Sequence, residues 1–459
     1  MESRINTARL LAPDVAQALE DGDTAEVREV LSRLFDADLA EVLIVLAPEQ
    51  RAAAFQLLPR ERAAAVFPHF SESQQKDLVE ELRAGQLADL LNTMSPDDRT
   101  EFFEGLSEKV IPELLAILKP SERFEARTLL QYPPESVGRL VTTDYLTVRP
   151  EWTVQQVIDR IREVGAEAET LDTLYVVDAA GRLIDDVPLR DLLLADPAQR
   201  IETLVDGQVV ALKATDDREH AVRAMEHYDR PVLPVVDERQ VMVGVVTFDD
   251  VADVAEEEAT EDFHRVAAVA PLPQSYDQTS IWSLYHRRIG WLMILVFVNL
   301  VSSGVIAAYE DVLQTTIALA FFMPLLIGSG GNTGSQAATL VIRALATGEV
   351  HLRQYLATLL KELSVGLSLA VTMGAVSWLL GLFRGGWYVG LVVGASMACI
   401  VVSTNLLGAT LPFILSRLKI DPAVASSPLI TTVADAMGLL IYFTIAAWIL
   451  GAAIPPPGG

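Results

Sequence analysis

Apolar residues recur along this chain with different periods, and each period predicts a different kind of structure. From residue 1 to about 132, Leu, Ala and Phe stand three and four positions apart, the spacing of a helix with one buried face. A motif returns every 24 residues, as Leu46-Ala-Pro-Glu-Gln-Arg, Phe70-Ser-Glu-Ser-Gln-Gln, Met94-Ser-Pro-Asp-Asp-Arg and Leu118-Lys-Pro-Ser-Glu-Arg. Each copy opens with a small residue or proline followed by acids, which favours a helix start. The pattern predicts an all-α domain of short stacked helices over 1–132.

Beyond Val141 the apolar positions form short β-branched runs followed by helical stretches, and they do so twice. Tyr145-Leu-Thr-Val148, Leu174-Tyr-Val-Val177 and Leu189-Arg-Asp-Leu192 are answered by Val209-Val-Ala-Leu212, Leu233-Pro-Val-Val236 and Val243 to Asp250. This duplicated α/β layout resembles a tandem CBS pair, with copies over 133–200 and 201–259. Thr247-x-x-Asp250 matches that family's ribose-contacting motif. The first copy has Pro188-Leu-Arg-Asp191 and so lacks the hydroxyl.

A dense acidic run follows: Asp249, Asp250, Asp253, Glu256, Glu257, Glu258, Glu261 and Asp262, with no basic residue before Arg265. On a helix, Asp250, Asp253, Glu257 and Glu261 share a face. The plainer reading is a solvated helix start favoured by the macrodipole. The alternative is that such repulsion invites a cation. Residues 260–284 then read as a connecting helix and linker, with the linker over 266–280.

Five hydrophobic segments complete the chain, near 289–309, 315–342, 355–383, 387–416 and 424–453. Each reaches the roughly 20 residues that span a hydrocarbon core. They predict a five-helix membrane domain over 285–455. Arg287, Arg288, Arg343, Arg353, Lys361, Arg417 and Lys419 fall on one side, and Arg384 with Glu310 and Asp311 on the other. The positive-inside tendency makes the first side cytoplasmic, with the N-terminus inside and the C-terminus outside. The opening Met-Glu-Ser-Arg-Ile-Asn lacks a signal-peptide pattern, so residues 1–280 are expected in the cytosol.

Charge sharpens this division. Of 62 acidic and 35 basic residues, 56 and 27 lie in 1–280 and only 6 and 8 in 281–459. The acid excess repels phosphate and argues against a nucleic-acid partner, while it suits divalent cations. The single cysteine, Cys399, excludes an intrachain disulfide and a thiolate zinc cluster.

Inside the apolar half, Pro324 to Thr347 holds a polar island, Gly328-Ser-Gly-Gly-Asn-Thr-Gly-Ser-Gln. Lipid does not solvate such groups, so they belong where helices approach closely or where an aqueous path runs. The acid deeply embedded in a span is Asp435, which should face protein, water or an ion. Around it stand neutral oxygens on Asn332, Thr333, Ser335, Gln336, Thr339, Ser427, Thr431 and Thr432, with no soft ligands, a set that selects a hard cation. Two copies of Asp435 across a subunit pair would favour a divalent ion. The island lacks the Lys-Ser/Thr ending of a phosphate loop, and neither Ser329 nor Ser335 has an acid-base partner, so no enzymatic activity is expected.

The membrane half resembles the MgtE family of magnesium channels through the 324–339 motif, Ile342-Arg-Ala-Leu-Ala-Thr-Gly, Leu411-Pro-Phe, Asp421-Pro-Ala and Ala434 to Tyr442. Glu258-Ala-Thr-Glu-Asp262 and the domain order extend the resemblance over nearly the whole chain. It implies a homodimeric inner-membrane channel carrying Mg2+, with Mn2+, Co2+ and Ni2+ as candidate further ions, closed by intracellular Mg2+. It implies a hydrated ion at Asp435 and a pore lined by Gly328, Asn332, Ser335, Thr339, Ser427 and Thr431. It further implies regulatory Mg2+ at Asp97, Asp217, Asp229, Asp250, Asp253, Glu258, Glu261, Asp262 and Asp421. Some members bind ATP at the CBS domains, which would involve Arg190 and Asp250. The chain departs from the family pattern at Ser329, Ser335 and Ala65.

Three functions of different classes compete: a Mg2+ channel with a cytosolic ion sensor, a H+- or Na+-coupled divalent cation transporter using Asp435, and a nucleotide-sensing CBS protein on a membrane anchor. An anchor has no use for Asp435 or the polar island. Channel and transporter both need a midplane acid.

Overall fold

The computed structural model describes residues 2–272, 276 and 279–453. Part of the expected 266–280 linker and the end of the expected membrane domain, 454–455, lie outside the described residues. The chain forms two compact units, Met1–Glu258 and Ala259–Gly459.

The first unit opens with the helices Glu2–Glu20, Thr24–Ser32 and Asp36–Val45, and goes on with short helices of which four keep the 24-residue period in their starts: Pro48–Phe55, Glu72–Glu81, Pro96–Glu104 (α1) and Pro120–Leu129. Proline takes the first turn in three of them, where its missing N–H costs nothing. In three of the four copies the sixth position of the repeat is an arginine with the same role. Arg51 donates to the carbonyls of Leu43 and Ile44, Arg99 to those of Leu91 and Met94, and Arg123 to those of Ala116 and Leu118. Each guanidinium satisfies the orphan carbonyls that end the preceding helix, tying one repeat to the next. Leu39, Leu43, Phe55, Phe67, Leu91 and Phe103 fill the core between them.

Two three-stranded sheets follow. The first orders β1 (Thr147–Val148), β2 (Thr173–Val177) and β3 (Leu183–Pro188), and the second β4 (Leu212–Lys213), β5 (Val232–Val236) and β6 (Met242–Thr247). In each, the outer short strand runs parallel and the last antiparallel to the centre, so the duplication read from the sequence is structural. Three details differ from the sequence pattern. The strands expected at Tyr145–Val148 and Val209–Leu212 shrink to two residues each. Leu189–Leu192 belongs to the helix Leu189–Leu194, after a strand whose Asp185 and Asp186 hide its β character. Asp185 is fully buried and accepts the amides of Asp206 and Gly207, which explains an acid inside a strand. Helices α2 (Arg218–Tyr228) and α3 (Phe248–Val266) pack with the second sheet, and α3 carries the acidic run.

In the second unit, four helical segments among the described residues are long and apolar enough to cross a membrane. They coincide largely with α4 (Ile281–Ala308), α5 (Met323–Ala346), α6 (Tyr355–Arg417) and α7 (Ser427–Ala453). At 63 residues, α6 would run on the order of 95 Å if straight, far beyond a bilayer. It does not run straight: Gly386 takes φ 77° and ψ −172°, and Gly381 and Gly374 then meet Gly390 and Gly394, so the chain doubles back.

Helix α5 packs on both α6 and α7 through glycines. A Cβ on Gly408 would collide with the Gly334 carbonyl, whereas one on Gly304 would meet nothing within 4 Å. Gly408→Val should therefore lower the thermal unfolding midpoint of detergent-solubilised protein, with a loss of roughly 1–3 kcal/mol, while Gly304→Val leaves it nearly unchanged. Equal effects of the two changes would contradict the packing described.

Candidate functional site

In the first unit, α1 and α3 each begin with acids and bring those ends to one cavity. Its volume is about 210 Å3, and its lining includes Glu72, Asp97, Glu101, Glu104, Asp250, Asp253 and Glu257, with Arg139 and Arg218. Seven carboxylates thus face two guanidiniums, an excess that attracts cations. An octahedral shell of waters, at about 30 Å3 each, fits such a space. Among the described residues no three acidic, histidine or cysteine side chains converge as direct metal ligands. The donor set therefore suits a cation that keeps its water, as Mg2+ does when held by one or two carboxylates.

Burial makes these acids unusual. Asp97 is 8% exposed, and its Oδ1 has no hydrogen-bond partner. Desolvation pushes its pKa up, against hydrogen bonds from Ser95 and from the backbone at the start of α1. Desolvation and then the Asp97 charge also push Asp250 well above the usual carboxylate range, although Thr247 Oγ1 donates to its Oδ2 at 2.7 Å. Asp98, bonded by Ser95 at 2.5 Å, is pushed up to about 7 by burial and then by Asp97. Glu101 is also raised to about 7, first by burial and then by Asp98. It stands at the exposed edge, where solvent screening reduces its effect on stability.

The acidic run on α3 is not unpaired, as its sequence suggested. Arg218 reaches across from α2 to Glu257 at 2.8 Å and Glu258 at 2.9 Å. In the second unit, Arg265 bridges Glu261 and Asp421. Of the other acids named from sequence, Asp217 caps α2 by accepting the Glu219 amide, and Asp262 is exposed on α3. Asp229 ends α2 at φ 51° and lines an apolar groove with Val222, Met225, Phe248 and Val251. The structure thus gathers Asp97, Asp250 and Asp253, and places Asp217, Asp229 and Asp262 elsewhere. Arg190 and Ala65 are exposed on their helices. Sequence reasoning missed Glu101 and Glu104, readable as one helix turn and two turns beyond Asp97. It also missed Glu72, which arrives from a different helix and leaves no local signal.

In the second unit, the polar island divides between two faces of α5. Gly330, Gly331, Thr333, Gly334, Ala337 and Ala338 are buried, with Gly331 against Thr431 and Gly334 against Ile430 and Thr404. Gly328, Asn332, Gln336 and Thr339 recur at three- and four-residue steps and are exposed. On α7, Ser427, Thr431 and Asp435 follow at steps of four, all half-buried, and Ser335 Oγ donates to the Ser427 carbonyl at 3.5 Å. Polar stripes on α5 and α7 thus flank one glycine-rich contact. Another carboxylate of the membrane half, passed over in the sequence reading, is Glu362. It accepts from the buried Asn405 amide at 3.0 Å, and the same amide also donates to the Glu362 carbonyl at 2.8 Å.

An acidic unit with paired three-stranded sheets, joined to a bundle of apolar helices with polar stripes, defines a polytopic membrane protein that also carries a large acidic unit. Comparison with known proteins supplies the family. A divalent cation transporter profile matches residues 323–445, an MgtE intracellular N domain 34–135, and CBS domains 137–197 and 201–257. The magnesium transporter MgtE of Thermus thermophilus is 40% identical over 96% of this chain and 99% of its own length. That of Bacillus subtilis is 31% identical over 93% and 95%. The crystal structure of the cytosolic domain of the Mg2+ channel MgtE in complex with ATP is 36% identical. It covers 53% of this chain and 100% of its own, with a TM-score of 0.51. The chain belongs to the MgtE family.

The raised carboxylates make the first unit sensitive to pH. Their folded pKa values lie above the ordinary 3.8 to 4.5. The folded state therefore binds protons more readily than the unfolded chain, and this contribution to stability is lost as pH rises through about 7 and beyond. In chelator, the soluble half of the full chain should resist protease better at about pH 6 than at about pH 8.5, and divalent cation should shrink the difference. Greater resistance at the higher pH without cation would contradict this electrostatics.

Proposed function

We propose that the chain is a Mg2+-selective channel that crosses the cell membrane five times, counting α6 as two crossings joined at Gly386. Its N-terminus is cytoplasmic, its C-terminus is outside, and it works as a homodimer. The observation that carries the reading is Asp435, in register with Thr431 and Ser427 beside the exposed polar face of α5. In a second copy the same stripe would stand opposite, so that a hydrated hard cation meets two carboxylates and neutral oxygens from Gly328, Asn332, Ser335 and Thr339. Mn2+, Co2+ and Ni2+ meet the same ligand chemistry. The charge asymmetry of the loops supports the orientation.

Cytosolic Mg2+ closes the channel by binding among the acids of the soluble half. Carboxylates on separate modules repel without cation and are drawn together with it, so the ion favours the compact state by its differential affinity. Asp97, Asp250 and Asp253 form the core of this sensor. The family resemblance adds Asp217, Asp229 and Glu258 in the first unit and, separately, Glu261, Asp262 and Asp421 in the second as further acids for regulatory Mg2+. ATP binds at the CBS pair through Arg190 and Asp250, a reading supported by the ATP complex of the related cytosolic domain.

Flux of Mg2+ into liposomes holding the purified protein tests the pore. Asp435→Ala should lower the flux by about tenfold or more, with the fold retained, since it removes the charge that compensates the ion in a low dielectric. Wild-type flux should proceed without a proton or sodium gradient. Flux tied stoichiometrically to either gradient would replace the channel with a coupled transporter, and full flux in Asp435→Ala would remove Asp435 from the path.

A further inference from the structure

The two arginines of the acidic cavity stand in the place of a cation. Arg218, the first residue of α2, spans Glu257 at 2.8 Å and Glu258 at 2.9 Å, and its side chain is 18% exposed. Arg139 meets Glu104 at 3.0 Å and is 12% exposed. Both line the cavity that also holds Asp97, Glu101, Asp250 and Asp253. None of those four acids has an ion pair with a basic residue among the described residues, and Asp97 keeps a buried, unpartnered Oδ1 in the same space. The positive charge is therefore shared unequally: Glu104, Glu257 and Glu258 are neutralised from within, and the remaining acids await something else.

The Arg139 side chain and the Arg218 backbone are also held by groups other than the acids. Arg139 Nε donates to the Tyr132 carbonyl at 2.8 Å, and the Arg218 amide donates to the Glu135 carbonyl at 2.9 Å. Around them, the Val137 amide bonds the Asp216 carbonyl and the Gly138 amide bonds the Ala214 carbonyl. A Cβ on Gly138 would fall 2.5 Å from the Tyr132 ring and 2.8 Å from the Ala214 carbonyl, so the backbone here packs too closely for any side chain at this position. A cation entering the cavity meets two positive charges that stay near it. Arginine suits this role because its planar fork bridges two carboxylates and stays charged at any physiological pH.

We propose that Arg218 and Arg139 are resident counter-cations of the acidic cavity, competing with the divalent ion for its carboxylates and so setting the cation concentration at which the soluble half compacts. The proposal rests on the reading of this cavity as the Mg2+ sensor. Two opposing effects of Arg218 are then separable. Its ion pairs tie α2 to α3 and favour compaction at every Mg2+ level, whereas its charge weakens the hold on Mg2+.

Protease protection of the soluble half in the full-length protein, titrated with MgCl2, distinguishes them. Arg218→Gln should reach half-protection at about fivefold lower Mg2+ than wild type, the size expected for removing one unit charge near a divalent ion in a hydrated site. Arg218→Lys, which keeps the charge, should stay within about twofold of wild type. Arg139→Gln should shift in the same direction as Arg218→Gln and serves as the independent variant should the latter fail to fold. A purely structural arginine would give the opposite pattern, with protection lost or moved to higher Mg2+. An unchanged or higher half-protection concentration in a folded Gln variant would overturn the competition. Absence of Mg2+-dependent protection in the wild type would overturn the sensor reading itself, which is a different result.

Discussion

The first unit depends on holding Asp97 and Asp250 in one cavity with too little positive charge around them. Both carboxylates bear the cost of leaving water, which raises their proton affinity; the Asp97 charge raises that of Asp250 further, while a hydrogen bond with Asp250 partly offsets the rise at Asp97. Such an arrangement is stable only with help, from protons or from a cation. Helix geometry builds it: α1 and α3 both start with acids because acids favour helix N-termini, and the fold then brings the two starts together. Features that are locally stabilising become globally repulsive, which is the electrostatic basis of the compaction proposed above.

A related conflict governs the membrane unit. Polar groups among apolar helices must be packed or wetted, and α5 does both by dividing its faces. Its buried face uses glycine to bring backbones into contact with α6 and α7, and its exposed face carries Asn332, Gln336 and Thr339. The same glycines that lock the bundle therefore fix the polar stripe next to Asp435. In the proposed channel, helix packing and ion coordination are properties of one element.

How much of this was legible in the sequence depended on whether a feature is local. The 24-residue repeat was readable because helix starts have a strong chemical signature, and all four quoted copies begin helices where the period requires. The role of Arg51, Arg99 and Arg123 was not, since carbonyls at a helix end leave no mark on composition. The strand Leu183–Pro188 was hidden by two acids whose partners lie in the segment after the next helix and across the sheets, with Arg230 on Asp186. Asp250 and Asp253 stood out in the acidic run and Asp97 through family resemblance, yet their meeting point with Glu72 and Arg218 is a tertiary fact. The acidic run looked uncompensated because its counter-ion, Arg218, stands 39 and 40 residues before its partners.

The central claim is that repulsion between the carboxylates of α1 and α3 keeps the soluble half open until a divalent cation joins them. The most direct test is Mg2+ flux through wild type and the double variant Asp97→Asn, Asp250→Asn, recorded while free Mg2+ on the soluble-domain side is varied. The account predicts that wild-type flux falls as this Mg2+ rises, whereas the double variant has lower flux in chelator and responds weakly to Mg2+, because neither the repulsion nor its ion-dependent relief remains. A double variant with wild-type flux in chelator and the wild-type half-closing concentration would contradict it.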